Sequence, residues 1–325
     1  MNIKLKHRLM LISSGLLAGF SVILPEIFVA FAWISLVPAL LVIFKRVDGE
    51  QIKLRELYCK GLLFYFSFAS VYFHWFVALY PLDFTGLDGF SSVLVVIVAW
   101  FGLALLQALF GGLVFLLFGA FAKIGAFERA PYLKVILFPL LFIIYECFQT
   151  VGFWGVPWGR LCLSQMAALP LVQTASLFGS YFVSALIVAV NALIAFAVLC
   201  DRKTVQRRFF ATVALGIFCL NLFAGAILFG INSARYDNSE KIKVAAVQGN
   251  NSISGLMVNK GSFDNYIRLT EDAAKAGASL VVWPETVFVS ELRPESASGK
   301  RISEVAKEYG IHIVVGAMKY EEGRT

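Results

Sequence analysis

Apolar residues run in long unbroken stretches up to about residue 231 and in short alternating ones beyond it. The long runs fall near residues 9–24, 26–44, 57–80, 90–122, 131–149, 170–200 and 208–231. From the third onward, each exceeds the ~18 residues that mark a helix able to cross a hydrocarbon layer. The first two are shorter and are divided by Pro25-Glu26. They read either as two spans or as one re-entrant hairpin. The run at 90–122 is long enough to tilt, or to hide a break at Gly111-Gly112. The pattern predicts an α-helical polytopic membrane domain over 1–231, with about seven spans, or eight if one run divides.

After residue 240 the period changes. Lys241 to Gln248 reads as a strand and Gly249-Asn250-Asn251-Ser252 as a loop. Phe263 to Ala276 has helical spacing, with Phe263, Ile267, Thr270 and Ala274 on one face and Gly277 as the stop. Ser279 to Val282 is a second strand, running into Trp283-Pro284-Glu285. Ser298 to Tyr309 is a second helix, ended by Gly310, and Ile311 to Ala317 a third strand. A β-α-β-α-β order predicts an α/β sheet over 232–325. Three strands and two helices make a small core, and such a sheet has an unpaired edge and an uncovered face.

Composition agrees with this division. The hydrophobic fraction is 59%, against roughly 45–50% for soluble domains. The net charge of +7 could suggest a nucleic-acid partner, but the positions of the charges exclude it. Lys4, Lys6 and Arg8 precede the first run. Lys45, Arg46, Lys53, Arg55 and Lys60 follow the second, Lys123, Arg129 and Lys134 the fourth, and Arg202, Lys203, Arg207 and Arg208 the sixth. The alternate loops hold Asp83 and Asp88 in one and Arg160 in another. By the positive-inside rule the N-terminus is expected to be cytoplasmic, and an odd span count puts the segment after 231 outside. With no small-x-small cleavage site before Pro25, the first span is expected to stay uncleaved. The five cysteines all precede that segment, and their spacing fits neither a metal site nor a disulfide framework. No phosphate-binding glycine loop or nucleotide fingerprint occurs, so no cofactor is expected.

Four features carry candidate chemistry. Glu285 follows Pro284, which cannot donate to a sheet ladder, so the strand ends there and the carboxylate stands at its C-terminal mouth. A carboxylate so placed can be aimed and partly desolvated, which suits a general base. Glu146, near the end of the fifth run, reads either as a functional intramembrane carboxylate or as a helix-end residue bonded to the next loop. His74-Trp75 reads as an interfacial aromatic anchor or as part of a lipid-facing site. Phe153-Trp154-Gly155-Val156-Pro157-Trp158-Gly159 reads as a headgroup-level loop or as a mouth that guides a lipid.

These residues also carry a resemblance. Val244-Ala245-Ala246-Val247-Gln248-Gly249-Asn250, Leu280-Val281-Val282-Trp283-Pro284-Glu285-Thr286 and Val315-Gly316-Ala317 resemble successive strands and turns of the nitrilase (carbon–nitrogen hydrolase) superfamily. With several spans before them, and Pro157-Trp158, Ser164-Gln165, Glu146 and Trp75 within those spans and loops, the chain resembles the apolipoprotein N-acyltransferase family. The resemblance implies a membrane domain followed by the first part of an α-β-β-α sandwich. It implies a Glu, Lys and Cys catalytic set, with Glu285 as general base toward the cysteine. It also implies a phospholipid acyl donor, a diacylglyceryl-modified apolipoprotein as acceptor, and an inner-membrane location with the hydrolase domain periplasmic.

Two departures accompany it. The family usually has a tryptophan shortly after Gln-Gly-Asn, where this chain reads Ser254-Gly255-Leu256-Met257. The family's lysine and Cys-Tyr-Glu segment are expected beyond Thr325, so these 325 residues are expected to be an inactive fragment. The alternatives are a membrane-tethered amidase or acyltransferase of the same superfamily, and a non-catalytic membrane protein.

Overall fold

Most of the apolar sequence folds as helix, with the second run the main exception. α1 is Ile3–Ile23, α2 Val37–Val47, α3 Leu54–Tyr72, α4 Gly89–Lys123, α5 Lys134–Phe148, α6 Ser180–Leu199 and α7 Val205–Asn238. The computed structural model describes residues 2–49, 51–82, 85–152, 155–201, 204–249, 260–285 and 287–318. They divide into two units, Met1–Tyr236 and Asp237–Thr325.

Among the described residues, α4, the stretch Pro131–Phe148, α6 and α7 are long and apolar enough to cross a membrane. α1 and α3 have the length, 21 and 19 residues, but carry Lys4, Lys6 and Arg8, and Arg55, Glu56 and Lys60, in their first two turns. α4 runs without a break through Gly111-Gly112. A Cβ on Gly111 would lie 2.3 Å from the Tyr65 ring. The two glycines therefore serve the close packing of α3 on α4, and their effect is on the neighbour rather than on the helix itself.

The faces of α4 explain its composition. Ala104, Ala108, Gly111, Phe115, Phe118 and Ala122 are buried at spacings of three and four. Val98, Leu105, Leu109, Leu113, Leu117 and Phe121 are exposed on another face. A helix that is apolar all round has one stripe for its neighbours and one for lipid. Bundle and bilayer divide the surface of α4 in this way.

The second apolar run is not one helix. After α1 come a four-residue turn at Pro25–Phe28, a 3-10 turn at Phe31–Trp33, and then the 11-residue α2. Irregular backbone is tolerated at membrane depth only where protein satisfies it, and here polar side chains from distant helices do so. The Asn191 amide donates to the Ala32 carbonyl at 2.9 Å, and its oxygen accepts from the Leu36 N–H at 2.8 Å. The Ser14 hydroxyl donates to the Ser35 carbonyl at 2.6 Å. Gln165 accepts from the Trp33 indole N–H at 3.0 Å and donates to the Val29 carbonyl at 3.3 Å. Asn191→Leu orphans one buried donor and one buried acceptor, at about 1–3 kcal/mol each. Thermal unfolding in detergent is expected to show a clearly lowered midpoint, and an unchanged one would remove this account of the break.

The second unit is built on β1 Val244–Ala246, α8 Lys260–Lys275, β2 Leu280–Val282, β3 Phe288–Glu291, α9 Ala297–Tyr309, β4 His312–Val314 and β5 Ala317–Met318. Both helices end as the glycines predict, with Gly277 and Gly310 at positive φ. The main sheet has the parallel order β1-β2-β4, with Ala245 beside Val281 and Val281 beside Ile313. Those three residues turn toward a core with Tyr266 and Ile267 of α8 and Ile302 and Val305 of α9. The alternate positions Val244 and Val314 are 52% and 53% exposed, so the helices cover one face only. The expected third strand divides into β4 and β5, and β5 pairs in parallel with β3, a strand that the periodicity alone did not predict.

Candidate active site

The central strand β2 aims the site. Val281 is fully buried between its neighbours. The ladder continues past the strand: the Val247 N–H donates to the Val282 carbonyl and the Trp283 N–H to the Val314 carbonyl, each at 2.9 Å. Pro284 has no N–H to extend it. The chain turns, and Glu285 is exposed in that turn. Among the described residues, packing ends at Trp283 and leaves the turn that holds Glu285 exposed.

Trp283 supplies the rigidity. It is buried, and its indole N–H donates to the Thr270 hydroxyl at 2.8 Å. Thr270 in turn donates to the Tyr266 carbonyl at 2.8 Å. The indole stacks on the Tyr266 ring with centroids 5.0 Å apart and meets Phe263 edge-on at 6.2 Å. The anchor lies two residues before Glu285, so α8 sets the direction in which the carboxylate leaves the sheet. Tyr266 also bears on the turn after β1. A Cβ on Gly249 would lie 2.4 Å from its ring, and the Asn265 amide lies 3.5 Å from the Gly249 carbonyl. Gly249 and Glu285 thus share the carboxyl edge of a parallel sheet, where open α/β folds place their ligands. Asn250, Thr286 and the Ser254–Met257 departure lie outside the described residues.

The remaining candidates belong to the first unit. Glu146 is 2% exposed. Its Oε1 accepts from the Leu161 N–H at 2.7 Å, which is the loop bond anticipated by one of its two readings. The Ser184 hydroxyl lies beside the same carboxylate. Cys162, next in the chain, donates its N–H to the Ser184 hydroxyl at 3.0 Å. Arg160 lies 4.2 Å over the Tyr181 ring and hydrogen-bonds Ser180. Trp75 and Trp158 come together, with centroids 5.0 Å apart, and Phe73 lies 6.3 Å from Trp158. The two aromatic motifs therefore form one cluster. His74 is exposed, with its Nδ1 3.1 Å from the Val71 carbonyl. Phe153 and Trp154 lie outside the described residues. Ser164 and Gln165 are fully buried, and the five cysteines are unpaired thiols.

Sequence reasoning missed Tyr266, although it sits one position beside the predicted face and four before Thr270. It also missed Asn191, whose signal was an amide inside a 20-residue apolar helix.

A bundle of lipid-length helices followed by a parallel α/β unit, with a carboxylate at the mouth of its central strand, defines a multi-pass membrane protein with an α/β domain. The Carbon-nitrogen hydrolase family model matches residues 243–325. The Apolipoprotein N-acyltransferase N-terminal domain model matches residues 14–193, and the chain belongs to the apolipoprotein N-acyltransferase family. It is 27% identical to an apolipoprotein N-acyltransferase of Gloeobacter violaceus over 79% of this chain and 46% of that protein. It is 26% identical to one of Coxiella burnetii over 95% of this chain and 60% of that protein. It is also 31% identical to apolipoprotein N-acyltransferase 1 of Treponema pallidum, over 47% of this chain and 30% of that protein. The chain thus spans less than two thirds of the length of each of these relatives.

Proposed function

We propose that these residues are the membrane domain and the first part of the catalytic domain of an enzyme that moves a fatty acyl group. The donor is a phospholipid, and the acceptor is the free α-amine of a diacylglyceryl-modified cysteine at the N-terminus of an apolipoprotein. Glu285 is the general base. It takes the proton of a cysteine thiol, and the thiolate attacks an ester carbonyl of the phospholipid. The acyl–oxygen bond breaks to leave a thioester, the proton passing from Glu285 to the departing lysophospholipid oxygen. A lysine helps to hold the tetrahedral oxyanion. The acceptor amine then displaces the thiolate and leaves as an amide. The observation that supports this reading is the placement of Glu285, in the turn one residue past Pro284, at the carboxyl end of the central strand of a parallel sheet.

The loop charges support a topology for this chemistry. Lys and Arg gather in alternate loops, which supports a cytoplasmic N-terminus and a domain after residue 231 on the opposite side of the membrane, with the first two runs forming either two spans or one re-entrant hairpin. The family resemblance makes that side the periplasmic face of an inner membrane. Both substrates are lipids, so the reaction needs a catalytic domain held at a bilayer.

These residues supply the glutamate but no cysteine after Cys219. The five thiols present all belong to the first unit. The test is N-acylation of a diacylglyceryl lipopeptide, read by mass spectrometry. Residues 1–325 alone are expected to transfer no acyl group. The same residues, followed by an in-frame continuation that encodes the lysine and Cys-Tyr-Glu, are expected to transfer it. Transfer by residues 1–325 alone would overturn the assignment of the nucleophile.

A further inference from the structure

α7 is fastened near its middle and touches α6 more lightly nearer its start, where Phe210 meets Phe196 edge-on at 4.7 Å. Near its middle, the Thr174 hydroxyl donates to the Asn221 oxygen at 2.8 Å, and the Asn221 amide donates to the Leu171 carbonyl at 3.0 Å. At Gly225 the Pro170 carbonyl comes so near that a Cβ would meet it at 1.8 Å. Toward its start only Ala214 is buried. Between that part of α7, the second half of α6 and the 3-10 turn at Phe31–Trp33 lies a cavity of about 370 Å³. Trp33 and Phe218, in edge contact at 4.9 Å, stand at one end. Arg207 stands at the other, and Ile194, Val198 and Ala211 are among the walls. From Arg207 to Phe218 the helix rises roughly 16 Å.

This shape and charge point to one occupant. The volume is that of a site for a single small ligand, about 300–1,000 Å³. Every lining residue except Arg207 is apolar, and no acidic side chain lines the slot. In a bilayer an apolar slot has no preference of its own, because lipid tails are as apolar as its walls. Selection must come from the charged end. A guanidinium offers two parallel N–H donors to a phosphate, and Arg202, Lys203 and Arg208 add positive charge in the adjoining sequence. Such basic clusters beside a span attract anionic lipid. We infer that the slot between α6 and α7 holds one acyl chain of an anionic phospholipid whose phosphate is bound by Arg207. This lipid is a resident of the membrane domain and not the acyl donor, and the inference does not depend on the proposed acyl transfer.

The test uses the 325-residue chain, delipidated in detergent and titrated with phosphatidylglycerol or phosphatidylethanolamine of identical chains, with one-lipid adducts counted by native mass spectrometry. Both lipids offer the phosphate that Arg207 binds, but the ammonium of phosphatidylethanolamine offsets that charge beside the basic cluster, so phosphatidylglycerol is expected to bind about tenfold more tightly. Arg207→Gln is expected to remove that preference. Arg208→Gln, at an exposed position outside the slot, is expected to leave it. Ala211→Trp, which fills the slot, is expected to abolish the tight adduct. Equal binding of the two lipids, equal losses in the two arginine variants, or full binding by Ala211→Trp would each overturn the proposal. If Ala211→Trp fails to elute as the folded chain does, the paired arginine comparison decides alone. Equal binding of diacylglycerol would make the slot a site for chains without a headgroup preference, which also overturns it.

Discussion

Replacing Glu285 by glutamine, in a family chain that carries these residues together with the lysine and the cysteine, is expected to lower acyl-enzyme formation about 10²- to 10⁴-fold. The amide keeps the size of the side chain and cannot accept the thiol proton. The readout is lysophospholipid released in a single turnover, with the thioester found by intact mass. Glu285 is exposed, so stability should move by no more than about 0.5 kcal/mol, the usual range for a surface change. A variant that forms the thioester at the parent rate, with its fold intact, would take the catalytic role away from this residue.

The second large effect is one of stability. Trp283→Ala removes the stacking on Tyr266, the bond to Thr270 and the largest aromatic group of the small core in the second unit. Truncating a buried tryptophan costs about 3–5 kcal/mol, comparable to the whole stability of a small domain. Limited proteolysis is expected to digest the chain rapidly beyond residue 237 while the membrane unit survives. Trp283→Phe keeps most of the buried area and loses the indole N–H, so it should cost about 1 kcal/mol. If Trp283→Ala resists protease as the parent does, the anchor described for Glu285 is wrong.

The sequence made the architecture legible where the signal is local. Runs of 18 or more apolar residues, the loop charges and the change of period after residue 240 separate a membrane part from an α/β part, because each reports a property of neighbouring residues. Gly277 and Gly310 ended helices where they were expected to. The Trp-Pro-Glu stretch was legible as a strand end because proline removes a donor at a known place. What was not legible is non-local. The second run breaks because Asn191 and Gln165, far along the chain, satisfy its backbone. Burial of Tyr266 depends on Gly249, which follows another strand. The pairing of β3 with β5 joins segments of four and two residues, too short for periodicity to reveal.

The break between α1 and α2 also sets a schedule for synthesis. The Leu36 N–H is 155 residues from the Asn191 oxygen that accepts it, and the Ala32 carbonyl 159 residues from the same amide. At about 5–20 residues per second, the ribosome needs roughly 8–30 s to deliver that partner. Until then, the irregular stretch can be neither a finished span nor comfortable in hydrocarbon. The first hairpin must be sheltered by the insertion machinery, or held at the water interface, until α6 arrives to close it.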